Sequence, residues 1–231
     1  MKQNVGAKCF RPFIRISLVV VGFFLSISVF AQEKETKVLI DTDKGKIVVK
    51  LYNETPKHRD NFIKLVNAHQ YDGLLFHRVI KQFMIQAGDI NSKNSPTGEK
   101  LGDGDLEYTV PAEIVYPQFF HQYGKLCAAR EGDDTNPQRA SSASQFYIVT
   151  GKFFTENELN KMEQEKKITL TPEQREAYMT KGGVPHLDGA YTVFGEVVKG
   201  MNVVDKIQFV MTDMNDRPLK NIKIKSMKIV K

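Results

Sequence analysis

Phe76-His77-Arg78-Val79-Ile80-Lys81-Gln82-Phe83-Met84-Ile85-Gln86-Ala87-Gly88-Asp89 is the stretch on which the reading of this chain turns. It reads as two short strands, Leu75 to Ile80 and Phe83 to Gln86, joined by the polar pair Lys81-Gln82. Period-two alternation sets Phe76, Arg78 and Ile80 on one face of the first strand, with His77 and Val79 on the other. An arginine among apolar neighbours is unusual, because a guanidinium stays charged and is costly to bury unpaired. Phe83, Met84 and Gln86 follow closely, so the residue types describe an apolar pocket edged by one permanent cation and one amide. The plain alternative is a core hairpin whose Arg78 reaches solvent or pairs with an acid such as Asp89 or Glu113.

Upstream, Val38 to Asp41 and Lys46 to Leu51 read as strands around the turn Thr42-Asp43-Lys44-Gly45, with glycine where a positive φ is needed. Thr55-Pro56 starts a helix, threonine as N-cap and proline at the first helical position. Phe62, Ile63, Leu65, Val66 and His69 form its apolar stripe, and His58 and His69 belong to its surface. Downstream, residues 91–105 are rich in Gly, Asn, Ser and Asp and read as a long surface loop. Without a strand-turn-helix context, their glycines do not make a phosphate-binding loop. Lys125 to Ala129, Ser144 to Thr150, Tyr191 to Val197 and Ile222 to Val230 are further strands. Met201 to Phe209 is a second core helix with Val203, Val204, Ile207 and Phe209 inward. Phe119, Phe120 and Phe194 are also assigned to the core. Residues 152–183 differ: two charged, weakly amphipathic helices, the second capped by Thr171-Pro172 and ending before Gly182-Gly183, read as a hairpin inserted at a loop. Many strands and only two core helices predict a mainly β domain, a closed antiparallel barrel with a helix over each end.

The 231 residues fit one large domain or two small ones. Lys2, Lys8, Arg11 and Arg15 precede an apolar run of 15 residues, Ile16 to Phe30, and Val29 and Ala31 offer small residues at a cleavage position. This is the layout of a secretory signal over residues 1–31, too short for a comfortable membrane span. An uncleaved N-terminal anchor is the alternative. The expectation is an exported, periplasmic protein whose mature domain spans residues 32–231, without a membrane span once the leader is gone. Setting the leader's basic residues aside reduces the formal charge from +6 to +2. The basicity is therefore poor evidence for nucleic-acid binding. Cys127 is then the single cysteine and cannot form an internal disulfide, but about 200 residues suffice for a core.

Four spaced motifs in one order carry a resemblance. The quoted stretch resembles the signature of the cyclophilin family of peptidyl-prolyl cis-trans isomerases. Phe120-His121-x-x-Gly124-x-Leu126-x-x-Ala129-Arg130 is similar to the family's next block. Asn136-Pro137 with Ala140-Ser141-Ser142-Ala143-Ser144-Gln145-Phe146-Tyr147-Ile148 resembles the following one. His186-Leu187-Asp188-Gly189-x-Tyr191-Thr192-Val193-Phe194-Gly195 resembles the block that closes the pocket. The match runs from about Val38 to Lys231, the insert apart.

The resemblance implies an eight-stranded antiparallel barrel capped by two helices, with the site on its outer face. By position it makes Arg78 the catalytic arginine, with Phe83, Met84, Tyr147 and Leu187 lining a proline pocket. Gln86 and Gln145, with Ala129 and the backbone near Arg130, hold the substrate peptide, and His186 and Tyr191 border the site. Tyr147 replaces the usual phenylalanine, His186 a frequent tryptophan and Tyr191 a frequent histidine. The loss of the tryptophan weakens the expectation of tight binding by cyclosporin-type inhibitors.

The implied chemistry suits these residues. An Xaa-Pro bond rotates slowly because its C–N bond has partial double-bond character, with a barrier of roughly 18–20 kcal/mol. At the twisted midpoint the prolyl nitrogen regains a lone pair, and a donor aimed at it favours the transition state over either planar form. Arg78 can donate without losing a proton. No nucleophile, metal or cofactor is required, and the expected partners are proline-containing unfolded or partly folded polypeptides met by a monomer. A hydrolase would need a base for Ser141, Ser142 or Ser144, none of which sits in a Gly-x-Ser-x-Gly elbow. No metal-ligand spacing occurs either. The competing reading is a binding module that grips proline segments without turnover.

Overall fold

Apolar residues alternate in the first two strands, and their burial follows. In β1 (Lys37–Thr42), Val38 and Ile40 are buried, and in β2 (Gly45–Leu51), Ile47, Val49 and Leu51 are. The structure, a computed structural model, describes Met1 and residues 34–231, so the rest of the leader read at 1–31 lies outside the described residues. The remaining strands are β3 (Phe76–Ile80), β4 (Met84–Ala87), β5 (Thr109–Val110), β6 (Lys125–Ala128), β7 (Ser141–Ser142), β8 (Phe146–Val149), β9 (Val193–Lys199) and β10 (Ile224–Val230). Eight of the ten described strands form one sheet in the order β10-β1-β2-β9-β6-β8-β4-β3, antiparallel throughout, while β5 and β7 pair separately.

The expected closed barrel is corrected here: the sheet curls but stays open between β3 and β10. Below the strands, the bridge Leu75–Lys223 and the bonds Gly73 N to Ile224 O (2.8 Å) and Ile224 N to Leu74 O (2.8 Å) stitch one end. Further along, the outer edge of β3 donates to the connection before β10, Phe76 N to Ile222 O and Val79 N to Asp216 O. A loop covers that edge, so its backbone groups are satisfied without closure.

Both expected core helices form, with changes at their ends. α1 (Pro56–Asn67) buries Phe62, Leu65 and Val66 against β10 and its neighbours. Its N-cap is Thr55, but the threonine hydroxyl makes no cap bond. Glu113 caps from a distance in sequence, accepting from Lys57 N (3.0 Å) and His58 N (2.9 Å). His58, expected on the helix surface, is buried, whereas His69 is exposed. The inserted pair comprises α2 (Glu156–Lys166) and α3 (Pro172–Thr180), each opened by a complete capping box, Thr155 with Glu158 and Thr171 with Gln174. They have a core of their own, Leu159, Leu170, Ala177 and Tyr178 with Phe120. α4 (Met201–Gln208) turns Val203, Val204 and Ile207 inward. Phe209 is not in the core: it is 60% exposed. The helix ends at Gln208, so its periodicity no longer governs the next residue, and the Phe209 ring faces the Lys81 ammonium instead. Among the described residues, no helix is long and apolar enough to cross a membrane.

Candidate active site

The hairpin β3–β4 carries the site, and one irregularity aims it. Phe76 pairs with Ala87 and Arg78 with Gln86, so His77 is an extra residue in β3, a β-bulge. Simple alternation would place Phe76 and Arg78 on one face. The bulge breaks it: Phe76 and Val79 enter the interior core, while Arg78 and Ile80 face the other side of the sheet. Gly88, at φ 99°, then passes so close to the Ser144 carbonyl that a Cβ would sit 2.1 Å from its oxygen. This brings the end of β4 against the start of β8.

Register does the rest. Arg78 pairs with Gln86, Gln86 with Tyr147 and Tyr147 with Cys127, a single lateral row across four strands on the outer face. Met84, Tyr147, Val149, Val184 and Val193 form an apolar cluster there, with Phe83, Leu187 and Tyr191 packed on it. A pocket of about 150 Å³ opens in this cluster, lined by Arg78, Phe83, Met84, Gln86, Ala129, Arg130, Tyr147, Leu187 and Tyr191. An apolar cavity of such a volume accepts one small ring. Of the residues singled out in the sequence, only Gln145 and His186 lie outside this lining. Gln145 accepts from Gln86 Nε2 (2.9 Å) and donates to the carbonyls of Gly102 and Gly104. It faces a neighbouring hollow of about 700 Å³ that shares Gln86, Ala129 and Arg130. His186 stacks on Phe83 with ring centroids 5.6 Å apart.

Arg78 is not held in an internal ion pair. Its Nε lies 3.5 Å from Asp216 Oδ2, with both side chains at least 40% exposed, a long surface contact of little strength. The two acids weighed as partners are occupied elsewhere. Asp89 accepts from the backbone of Asn91 and Gly102, and Glu113 caps α1. Arg130 is fully engaged by contrast: it donates to the Ala190 and Glu131 carbonyls, pairs with Asp133 at 2.7 Å and stacks on Tyr191 at 4.3 Å. Its guanidinium shapes the pocket wall.

The pocket floor rests on a buried relay that sequence reading missed. The Tyr147 hydroxyl meets His121 Nε2 (3.0 Å), and His121 Nδ1 meets Asp188 Oδ1 (2.9 Å). Asp188 also accepts from the His121 backbone (2.8 Å) and from the Tyr178 hydroxyl of the insert (2.6 Å). Burial holds the Tyr147 phenol well above its usual range, so it stays protonated. His121 and Asp188 both stand in the quoted motifs, but nothing in their spacing shows that they meet.

A second buried array looks like hydrolase machinery and is not. His58 Nδ1 lies 2.7 Å from Glu113 Oε2, and His58 Nε2 lies 2.9 Å from Ser141 Oγ. The sequence offered Ser141 no firm base, and the fold supplies one. Yet Ser141 and His58 are 1% and 3% exposed, and the hollow beside them, about 10 Å³, cannot hold a substrate. Desolvation, partly offset by Glu113, lowers the His58 pKa. A larger polar hollow of about 440 Å³, where Lys50 pairs with Glu35 and Glu196 and Lys125 with Glu196, does not include Arg78 in its lining. Among the described residues, no three or more His, Cys, Asp or Glu side chains are placed to hold a metal ion.

Comparison with known proteins identifies the family. Residues 37–229 match the model of the cyclophilin type peptidyl-prolyl cis-trans isomerase/CLD family. A "Putative peptidyl-prolyl cis-trans isomerase" of Staphylococcus epidermidis is 33% identical over 202 residues, covering 86% of this chain and 93% of that protein. One of Staphylococcus aureus is 34% identical over 203 residues with the same coverage. A crystal structure of a Cryptosporidium parvum cyclophilin type isomerase superposes with a TM-score of 0.61 at 23% identity, covering 85% of this chain and 98% of that one, a likeness of fold. By its sequence, its curled eight-stranded sheet and these relatives, the chain belongs to the cyclophilin-type peptidyl-prolyl cis-trans isomerase family.

Proposed function

We propose that this isomerase acts on exported polypeptides, turning Xaa-Pro bonds at the pocket beside Arg78 and so assisting their folding. The observation that carries the reading is Arg78 itself, a permanent cation on the wall of a ring-sized pocket, whose one ion pair among the described residues is a long surface contact. A proline ring enters between Phe83, Met84, Tyr147 and Leu187. Held there, one side of the bond stays fixed while the other turns, and Arg78 donates to the prolyl nitrogen as conjugation is lost. One such charged hydrogen bond supplies a few kcal/mol, about two to three decades in rate, and positioning supplies the remainder. Gln86, braced by Gln145, and the backbone at Ala129 and Arg130 hold the flanking chain in the adjoining hollow. A crystal structure of the Cryptosporidium parvum relative was determined in the presence of the dipeptide Ala-Pro, a ligand of the class this pocket suits.

The test is isomerisation of a short Xaa-Pro peptide by wild type and Arg78→Ala. Activity is expected in the first and a loss of at least tenfold in the second, with unchanged circular dichroism. Equal rates would remove Arg78 from the mechanism, and a well-folded wild type without activity would leave a proline-binding module. The export reading rests on the basic and apolar pattern of residues 1–31. N-terminal sequencing of the mature protein should begin at Gln32, and an intact Met1 would contradict cleavage.

A further inference from the structure

The inserted hairpin has no part in the chemistry above, yet it builds a second hollow against the same wall. A groove of about 370 Å³ lies between the insert and the β3–β4 turn. Phe154 and Met162 come from the insert, Phe83 from the hairpin, and Val184 and His186 from the segment behind it, with Lys152 at the rim. Phe83 is shared: one hollow is the ring-sized pocket beside Arg78, and the other is this groove. The stacked Phe83 and His186 rings form the ridge between them.

We propose that this groove is a subsite for a bulky apolar side chain of the same polypeptide whose proline occupies the pocket beside Arg78. The insert thereby selects Xaa-Pro segments with a large hydrophobic neighbour. This rests on the isomerase reading of that pocket and adds a substrate class to it. The occupant follows from continuity. A chain crossing the proline pocket has the amide-lined hollow of Gln86 and Gln145 on one side and this groove on the other.

The walls suit an apolar occupant: Phe83, Phe154, Met162 and Val184 supply them. The Lys152 ammonium is bound to Glu158 at 2.7 Å and lies 4.7 Å from the centre of the Phe154 ring. Partial desolvation, reinforced by the Lys166 charge, lowers the His186 pKa. The groove is also preformed. Both insert helices are capped, Arg175 ties α3 to Glu163 of α2 at 2.7 Å, and Gly183 pairs with Lys152 across the neck of the insert. An apolar side chain therefore enters without first ordering its site.

The experiment compares kcat/KM, by exchange NMR, for pairs of single-proline peptides that differ by Leu against Gly at positions two or three residues from the proline, on either side. In wild type, Leu is favoured by about tenfold on one side of the proline. Met162→Lys brings that ratio to within twofold of one, and Met162→Leu retains it. A ratio near one throughout in wild type, or an unchanged ratio in Met162→Lys, overturns the subsite. Binding is read in parallel from the methyl resonance of Met162 in wild type, so the outcome does not depend on the variants folding. The resonance moves with the Leu peptide and not with the Gly peptide. An unmoved resonance overturns the subsite even where turnover is normal. Movement without turnover supports the subsite and counts against the isomerase reading alone.

Discussion

His77 is the residue that sets Arg78 facing outward, and its own position is costly. Its ring is 3% exposed and neither nitrogen has a hydrogen-bond partner, the Leu75 backbone lying nearby but outside hydrogen-bond geometry. Burial is the main reason its pKa falls from 6.5 to about 4, against a smaller opposing pull from Asp89. Unfolded chains bind this proton between those two values and folded ones do not. The stabilisation from keeping His77 neutral is therefore complete above pH 6.5 and is lost as pH falls towards 4. The shift corresponds to about 3 kcal/mol. Urea denaturation of wild type across pH 4 to 7 should show that slope, and His77→Gln should flatten it. An equal slope in both would assign the acid sensitivity to other groups. Nothing in the letters around His77 distinguishes a buried imidazole from an exposed one, because alternation places it only relative to neighbours whose faces the bulge exchanges.

At the scale of elements, most boundaries were legible because the signals are local. The alternation of β1 and β2, the proline opening α1 and Thr171 capping the second insert helix all act within a turn or a strand. The exceptions involve partners distant in sequence. Thr55 occupies the N-cap position while Glu113, 55 residues from His58, satisfies the free amides of α1. Glu113→Ala removes that cap and leaves His58 Nδ1 unpaired in the interior. A loss of about 2 kcal/mol is expected, read as a lower urea midpoint at unchanged slope. Glu113→Gln, which keeps an acceptor, should lose less. A midpoint unmoved in the alanine variant would place the capping elsewhere. Phe209 fails differently: a stripe counted one residue past the end of α4 points a large ring at solvent.

Across the whole molecule, the insert and the barrel-like sheet meet at Asp188. This carboxylate takes hydrogen bonds from Tyr178 of the insert and from the His121 ring and backbone, and its side chain is 1% exposed. Asp188→Ala strands two buried polar side chains at once, and a cost of about 3–5 kcal/mol is expected. Because His121 braces Tyr147, turnover should fall along with melting temperature. Thermal melts and the isomerisation assay check the two together. Normal activity in a destabilised variant would show that the relay supports the fold and not the pocket.

By itself the sequence determined the family, the eight strands of the main sheet, the four α-helices and most of the residues that gather around Arg78, since periodicity, capping and motif order need only near neighbours along the chain; the short pair β5–β7 went unread. Tertiary structure alone decided that the sheet stays open, because a loop rather than a strand satisfies the outer edge of β3. It also decided that Arg78 turns outward, because a single extra residue reverses every face that precedes it. The same holds for the Tyr178–Asp188–His121–Tyr147 relay and the groove under the insert. Contacts between side chains many tens of residues apart depend on register and close packing, and no local pattern records those.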